Sequence, residues 1–199
     1  MPFRRAPRTG TPADFLVVGL GNPGDEYKQT RHNVGAQVVE LLAVRHGGKL
    51  RKQKERALVD EIRFADKRVA LVVPLTYMND SGVAVAPLAR RFGVEPQQIV
   101  VVHDELDLPI AELRVKMGGG LAGHNGLQSL KNHLHSDDFA RVRIGIGKPS
   151  SSREGADHVL AEFGKAEREQ VDVAIERAAD AVEMIVSDST ESAMNQFNR

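Results

Sequence analysis

Apolar residues along this chain repeat with two periods, and the alternation between them outlines the elements. The run Phe15-Leu16-Val17-Val18 stops at Gly19 and reads as a buried strand. A turn with Gly19, Gly21, Asn22, Pro23 and Gly24 follows, then a polar segment with His32 beside Asn33. Val34, Val38, Leu41 and Leu42 fall on one helix face, and Gly47-Gly48 signals its end. Residues 49–56, KLRKQKER, form a loop or strand entry. Ala57 to Phe64 and Arg68 to Val73 flank Ala65-Asp66-Lys67 and predict a hairpin. After Pro74 and the loop 75–82, Val85, Leu88, Ala89 and Phe92 give a helical face. Pro87 inside it implies a kink, or a helix start near Ala86. Gln98 to Val102 is a buried strand running into the polar cluster His103-Asp104-Glu105-Leu106-Asp107. Ala111 to Met117 is another strand, and the Gly118–Gly126 stretch leads to a helix with Leu127, Leu130 and Leu134. Arg141 to Ile146 alternates with period two, residues 148–155 read as a flexible loop, and Lys165 to Val186 carries one apolar stripe with acids opposite.

Strands alternating with helices through short connections predict an α/β fold: a single-domain mixed β-sheet flanked by helices on both faces. Residues 1–13, with Pro at 2, 7 and 12, are expected to be a disordered N-terminal tail, and residues 14–199 one folded domain. The 199 residues suffice for a sizeable core. A composition of 41% hydrophobic and 27% charged residues excludes a disordered chain. With no cysteine, disulfides and thiolate chemistry are ruled out, and a cytoplasmic location is expected. No apolar run approaches the ~20 residues of a membrane span. Small size without a spare apolar stripe favours a monomer. Net charge is zero, yet residues 1–68 hold 14 Lys/Arg against 8 Asp/Glu, and residues 149–199 hold 5 against 11. Either the C-terminal helix is merely solvated and acidic, or a basic side of the surface meets phosphate.

Candidate chemistry clusters in four loops placed after predicted strands: Asn22 and His32; Asn79; Asp104; His124 and Asn125. With no Cys and no G-x-S-x-G frame, covalent catalysis is disfavoured. A histidine with an orienting carboxylate and several amides suits activation of water, with amides holding substrate and donating to an oxyanion. Each residue also has a structural reading. Asn22-Pro23 is a common turn pair, Asn79 and Asn125 stand where helix N-caps are expected, and Asp104 could remain solvated beside Glu105 and Asp107. His32 could be a surface residue near a helix start, and His103 and His124 could be local hydrogen-bond partners. Gly19-x-Gly21-x-x-Gly24 matches the dinucleotide fingerprint, but the helical pattern begins too late for its N-terminus to meet a pyrophosphate. His133-x-His135 is the only close histidine pair, a weak basis for a metal.

Five segments together resemble the bacterial-type peptidyl-tRNA hydrolase family: VVGLGNPGDEYKQTRHNVG (17–35), PLTYMNDSG (74–82), VVHDELDLP (101–109), KMGGGLAGHNGL (116–127) and RVRIGIGKP (141–149). The resemblance runs from Phe15 to the C-terminal helix. It implies a single α/β domain that hydrolyses the ester between a peptide and the 3′-terminal ribose of tRNA, without metal or cofactor. By that resemblance His32 is the general base and Asp104 its orienting acid. Asn22, Asn79 and Asn125 position the substrate, and Tyr27, Tyr77 and His124 join the contacts of the same cleft. Lys116 and Arg143 match basic positions that hold tRNA phosphate. Two other readings compete: a tRNA- or ribosome-associated binding protein that has lost catalysis, and a nucleotide-cofactor enzyme using Gly19–Gly24.

Overall fold

The computed structural model describes residues 11–149, 151 and 154–199 of the chain. Its strands are β1 (Phe15–Gly19), β2 (Arg51–Gln53), β3 (Ala57–Phe64), β4 (Lys67–Pro74), β5 (Ile99–Glu105), β6 (Leu113–Met117) and β7 (Ala140–Gly145). Its helices are α1 (Val34–Arg45), α2 (Ser81–Phe92), α3 (Asn125–Leu134), α4 (Gly155–Leu160), α5 (Lys165–Ser187) and α6 (Thr190–Phe197). The strands form one mixed sheet in the order β2-β3-β4-β1-β5-β7-β6. The most apolar run, β1, lies at the centre, parallel to β4 and to β5, and β5 is parallel to β7. Antiparallel partners close both sides, and the charged β2 takes an edge, where exposed Arg51 and Lys52 are solvated.

Period-two alternation divides the core. Val17, Leu71, Val100, Val102, Val142 and Ile144 pack under α1, α5 and α6. Leu16, Val18, Ala70, Val72, Ile99 and Val101 pack under α2 and α3. The connection leaving β1 through α1 leads to β4 on one side, whereas β5 leads onward to β7 on the other. The crevice at the carboxyl ends of β1 and β5 is therefore a topological switch point, the place where open sheets leave room for a ligand.

Close packing of α1 on these strand ends sets the width of that crevice. A Cβ on Gly35 would lie 2.1 Å from the Val102 carbonyl oxygen, and one on Gly19 would lie 2.3 Å from the Gly35 carbonyl oxygen. Both obstacles are backbone, which cannot swing aside. Further along, Arg45 on α1 meets Glu176, Asp180 (2.8 Å) and Glu183 (3.3 Å) on α5, and His46 meets Glu183 at 3.0 Å. The acidic C-terminal helix is thus partly neutralised by α1. Such exposed pairs orient more than they stabilise.

Several expected boundaries move. α2 starts at Ser81, not near Ala86, and runs through Pro87. Proline removes one donor and crowds the carbonyl four residues back, here that of Val83, whose side of the helix is exposed. The polar His103-Asp104-Glu105 lies inside β5 rather than in a loop after it. The hairpin turn is Ala65-Asp66 alone, both with positive φ (47° and 60°), which suits the twist of a two-residue hairpin. α4 begins at the end of the expected 148–155 loop, and α6 lies beyond the last expected element. The expected tail falls mostly on residues 1–10, outside the described residues, but Ala13 is buried and its N–H donates to the Phe92 carbonyl at 3.0 Å.

The Gly35 contact gives a direct test. Gly35→Ala should destabilise the fold by about 3 kcal/mol or more, because an overpacked backbone contact has no cheap relief. Thermal unfolding should show Tm lowered by roughly 6–12 °C; a Tm within about a degree of the parent would refute the packing argument.

Candidate active site

The end of β5, the turn before α1 and the N-terminus of α3 bring three side chains together. Arg31–Asn33 forms a single 3-10 turn, tied by the Arg31 N–H to the Ala161 carbonyl (2.9 Å) and the Asn33 N–H to the Thr30 carbonyl (3.1 Å). It presents His32 to Asp104. His32 Nδ1 lies 2.9 Å and 3.0 Å from the two carboxylate oxygens, and His124 Nε2 lies 3.0 Å from Oδ1. Asp104 is only 2% exposed. Burial by itself raises this carboxyl. The charges and hydrogen bonds of His32 and His124 outweigh burial and hold it well below the usual carboxylate range.

The proton positions follow from the partners. His124 Nδ1 accepts from the N–H groups of Gly126 (3.1 Å) and Leu127 (3.4 Å), capping α3. Its hydrogen therefore sits on Nε2 and is donated to Asp104. An ionised Asp104 only accepts, so His32 donates through Nδ1, and in the neutral ring the lone pair is on Nε2. His32, Asp104 and His124 also have the composition of a metal-ligand trio. A ligating His124 Nε2 would have to shed its hydrogen to Nδ1, which already faces two N–H donors. The trio is wired as donor, acceptor, donor, and does not fit a metal.

The trio lines a cleft of about 210 Å³ whose far wall is Leu106, Ala122, Ala156 and Val159. Asn125 stands on its rim as the first residue of α3, exposed and without a side-chain hydrogen bond among the described residues. Asn79 is likewise exposed and uncommitted, in the turn Met78–Asp80. Neither is an N-cap. His124 caps α3, and the N-cap of α2 is Asp80, without a side-chain bond. Asn22 is held: its Oδ1 accepts from the Met78 N–H at 2.7 Å, and its main chain pairs with the Asn33 amide. Its Nδ2 has no partner among the described residues. Tyr27 and Tyr77 meet edge to face at 6.5 Å, with Tyr77 59% exposed.

The expected basic pair lies apart from this cleft, on the β6–β7 ladder. Lys116 is opposite Arg141, and Arg143 is opposite Arg114. Arg143 approaches Glu105, a lining residue of the cleft, at 3.9 Å. Burial first, then Arg141 and Arg143, lower the Lys116 ammonium. The dinucleotide fingerprint loses its structural context, because Gly24 leads into the turn Asp25–Tyr27 and α1 opens only at Val34.

Comparison with known proteins agrees with this architecture. The model of the family described as "Peptidyl-tRNA hydrolase" matches residues 16–199. The chain belongs to the peptidyl-tRNA hydrolase family. A peptidyl-tRNA hydrolase of Nocardia farcinica is 49% identical over 193 residues, covering 96% of this chain and 98% of that protein. One from Frankia alni is 45% identical over 193 residues, with the same coverage of 96% and 98%. The crystal structure of peptidyl-tRNA hydrolase from Acinetobacter baumannii superposes with a TM-score of 0.89 at 40% identity, covering 96% of this chain and 97% of that one. The chain is thus an enzyme of the peptidyl-tRNA hydrolase class, built as a single α/β domain. No helix among the described residues is long and apolar enough to cross a membrane.

Within this family fold, Asn33, Arg31 and Arg141 escaped sequence reasoning, whereas His103 is the local hydrogen-bond partner that the sequence suggested. Asn33 holds Asn22. Arg31, buried, donates to the Glu162 carbonyl and to Glu167 (2.8 Å) and lies over the Phe163 ring, fastening the chain that follows α4 beside His32. Arg141, 1% exposed, donates to the carbonyls of Gly118, Gly119 (3.1 Å) and Gly120 (2.9 Å), shaping the glycine-rich loop. The paired arginines of the RVR strand were the available signal, since alternate positions share a face. His103 is fully buried, donates through Nδ1 to the Asp104 carbonyl (2.6 Å), and stands 4.9 Å from the His124 ring.

Burial, then the neighbouring His124, push the His103 imidazole well below its ordinary value, so it stays neutral in the fold. The unfolded chain takes up that proton below about pH 6.5, so acid favours unfolding and stability rises with pH through this range. Urea titrations at pH 7.5 and 5.5 should show the parent losing about 1 kcal/mol more than His103→Gln; an identical pH dependence in the two proteins would contradict the assignment.

Proposed function

We propose that the chain hydrolyses the ester joining a peptide, or an N-blocked aminoacyl group, to the 3′-terminal ribose of tRNA, with His32 as general base. The observation that carries this reading is the Asp104-bound Nδ1 of His32, which leaves Nε2 basic at the cleft. Neutral His32 takes a proton from water through Nε2, and the resulting hydroxide attacks the ester carbonyl carbon. Asp104 stabilises the imidazolium that forms. The tetrahedral intermediate collapses by breaking the bond to the ribose 3′ oxygen, which takes the proton from His32. Peptide acid and free tRNA result.

The amides divide the remaining work. Asn22 has its oxygen engaged by the Met78 N–H and its Nδ2 without a partner among the described residues, so the amide offers hydrogens, which suits an oxyanion or a substrate carbonyl. Asn79 and Asn125 keep both donor and acceptor free and position the substrate. His124 shares the charge of Asp104 and holds its geometry. Tyr27 and Tyr77, packed edge to face with Tyr77 exposed, offer an aromatic face able to stack on a terminal base. Lys116 and Arg143 meet tRNA phosphate. A blocked amino group is preferred because a protonated α-amine would leave amide contacts unpaired.

Hydrolysis of an N-acetyl-aminoacyl-tRNA, beside the unblocked form, tests the reading. Release of the acetylated amino acid should be rapid, and release from the free aminoacyl form slow. His32→Ala should lower kcat by about 10²–10⁴-fold while tRNA affinity changes little. Parent-level turnover in that variant would remove His32 from the chemistry. Reversing the charges of Lys116 and Arg143 together should raise KM and flatten its dependence on salt concentration. An unchanged salt slope would place the phosphate contacts elsewhere.

A further inference from the structure

Asn33 occupies the N-cap position of α1, where an asparagine ordinarily turns its side chain back onto the first free N–H groups of the helix. Here it makes no such bond. Its Oδ1 accepts the Asn22 N–H at 2.9 Å, and its Nδ2 donates to the Asn22 carbonyl at 2.9 Å. Thr30 Oγ1 adds a longer contact to the same Oδ1 at 3.5 Å. The side chain thus pairs with the main chain of Asn22 at two points, as a neighbouring strand would. It is 5% exposed and directly follows His32. A favoured use in helix capping is given up for a contact to a loop.

The contact continues outward. Asn22 Oδ1 takes the Met78 N–H at 2.7 Å, one residue before Asn79. A single side chain therefore links the turn that carries His32 to the loop of Asn22, and through it to the turn of Asn79. Gly21 leaves the space for this arrangement, because a Cβ there would lie 2.9 Å from both Cγ and Nδ2 of Asn33.

We infer that Asn33 is a positioning residue for the hydrolysis: its two-point clasp fixes the free amide hydrogens of Asn22 relative to Nε2 of His32, and it acts through Asn22. The inference rests on the functional reading given above. Asn33 touches no reacting atom. Its effect is geometric, and a displacement of about 1 Å in such a constellation can lower the rate about 10²-fold.

The test is a double-mutant cycle on N-acetyl-aminoacyl-tRNA hydrolysis. Asn33→Ala and Asn22→Ala should each lower kcat by about 10- to 100-fold, with KM changed less than about 3-fold. The double variant should be no more than about 3-fold slower than Asn22→Ala, because the clasp still grips the main chain at position 22 but the amide that it positions is gone. A merely structural Asn33 would instead multiply its loss onto that of Asn22→Ala. Multiplied losses, or an Asn22→Ala variant with parent kcat, overturn the inference. Gly21→Ala guards against misfolding of the buried variant. Its methyl group presses on the Asn33 amide at 2.9 Å and, less closely, on the Ala36 Cβ at 3.1 Å, and the kcat loss it causes should vanish in the Asn22→Ala background. Parent kcat in Gly21→Ala also overturns the inference. Failure of the functional reading is read separately, from turnover in His32→Ala.

Discussion

An ionised carboxylate buried between two imidazole N–H groups is the constraint around which this molecule is arranged. Asp104 sits at the end of β5 with almost no exposed surface, and an unpaired charge there would not be tolerated. His32 and His124 supply the donors. Each is fixed from behind by backbone: His124 by the first N–H groups of α3, and His32 by a turn pinned to the chain following α4. The carboxylate in turn decides which nitrogen of His32 carries its hydrogen. The basic nitrogen at the cleft is thus a consequence of a folding requirement.

Glycines at the crevice make that arrangement sterically possible. The backbone of α1 touches the ends of β1 and β5 because neither Gly19 nor Gly35 carries a Cβ, and this brings the turn of His32 down onto β5. Around the trio, the asparagines form a second level of organisation. Asn22 is clasped and oriented, Asn125 stands free at the rim, and Asn79 is exposed in the turn Met78–Asp80. The basic residues of the β6–β7 ladder lie outside the cleft, joined to it by Glu105. Under the proposed function, chemistry and polyanion binding would occupy adjoining surfaces, so each could be altered without direct contact with the other.

Where periodicity was long and clean, the sequence already described the fold. β1, α1, the β3–β4 hairpin and α5 fall close to their expected limits, and the mixed sheet follows from their alternation. The failures have physical causes. His103-Asp104-Glu105 reads as a loop because polar residues rarely end a buried strand, and here they do so because each finds a partner. Pro87 reads as a helix start, but its missing donor falls on an exposed side and α2 continues through it. α4 and α6 are too short for a helical period to register. The site residues divide in the same way. His32, Asp104, His124 and Asn125 were legible as a set and share one cleft. Asn33 and Arg141 were not, since an asparagine before a helix reads as a cap and an arginine in a strand as surface. Only the fold shows that one clasps a loop and the other is buried under three carbonyls.

The tautomer of His32 tests the central claim most directly. Nitrogen-15 spectra of histidine-labelled protein, at a pH where the ring is neutral, distinguish a protonated from an unprotonated ring nitrogen. The account predicts that His32 carries its hydrogen on Nδ1 and leaves Nε2 bare, and that Asp104→Asn weakens this preference. A His32 protonated on Nε2 in the parent would contradict it, because the nitrogen at the cleft would have no lone pair to receive a proton from water.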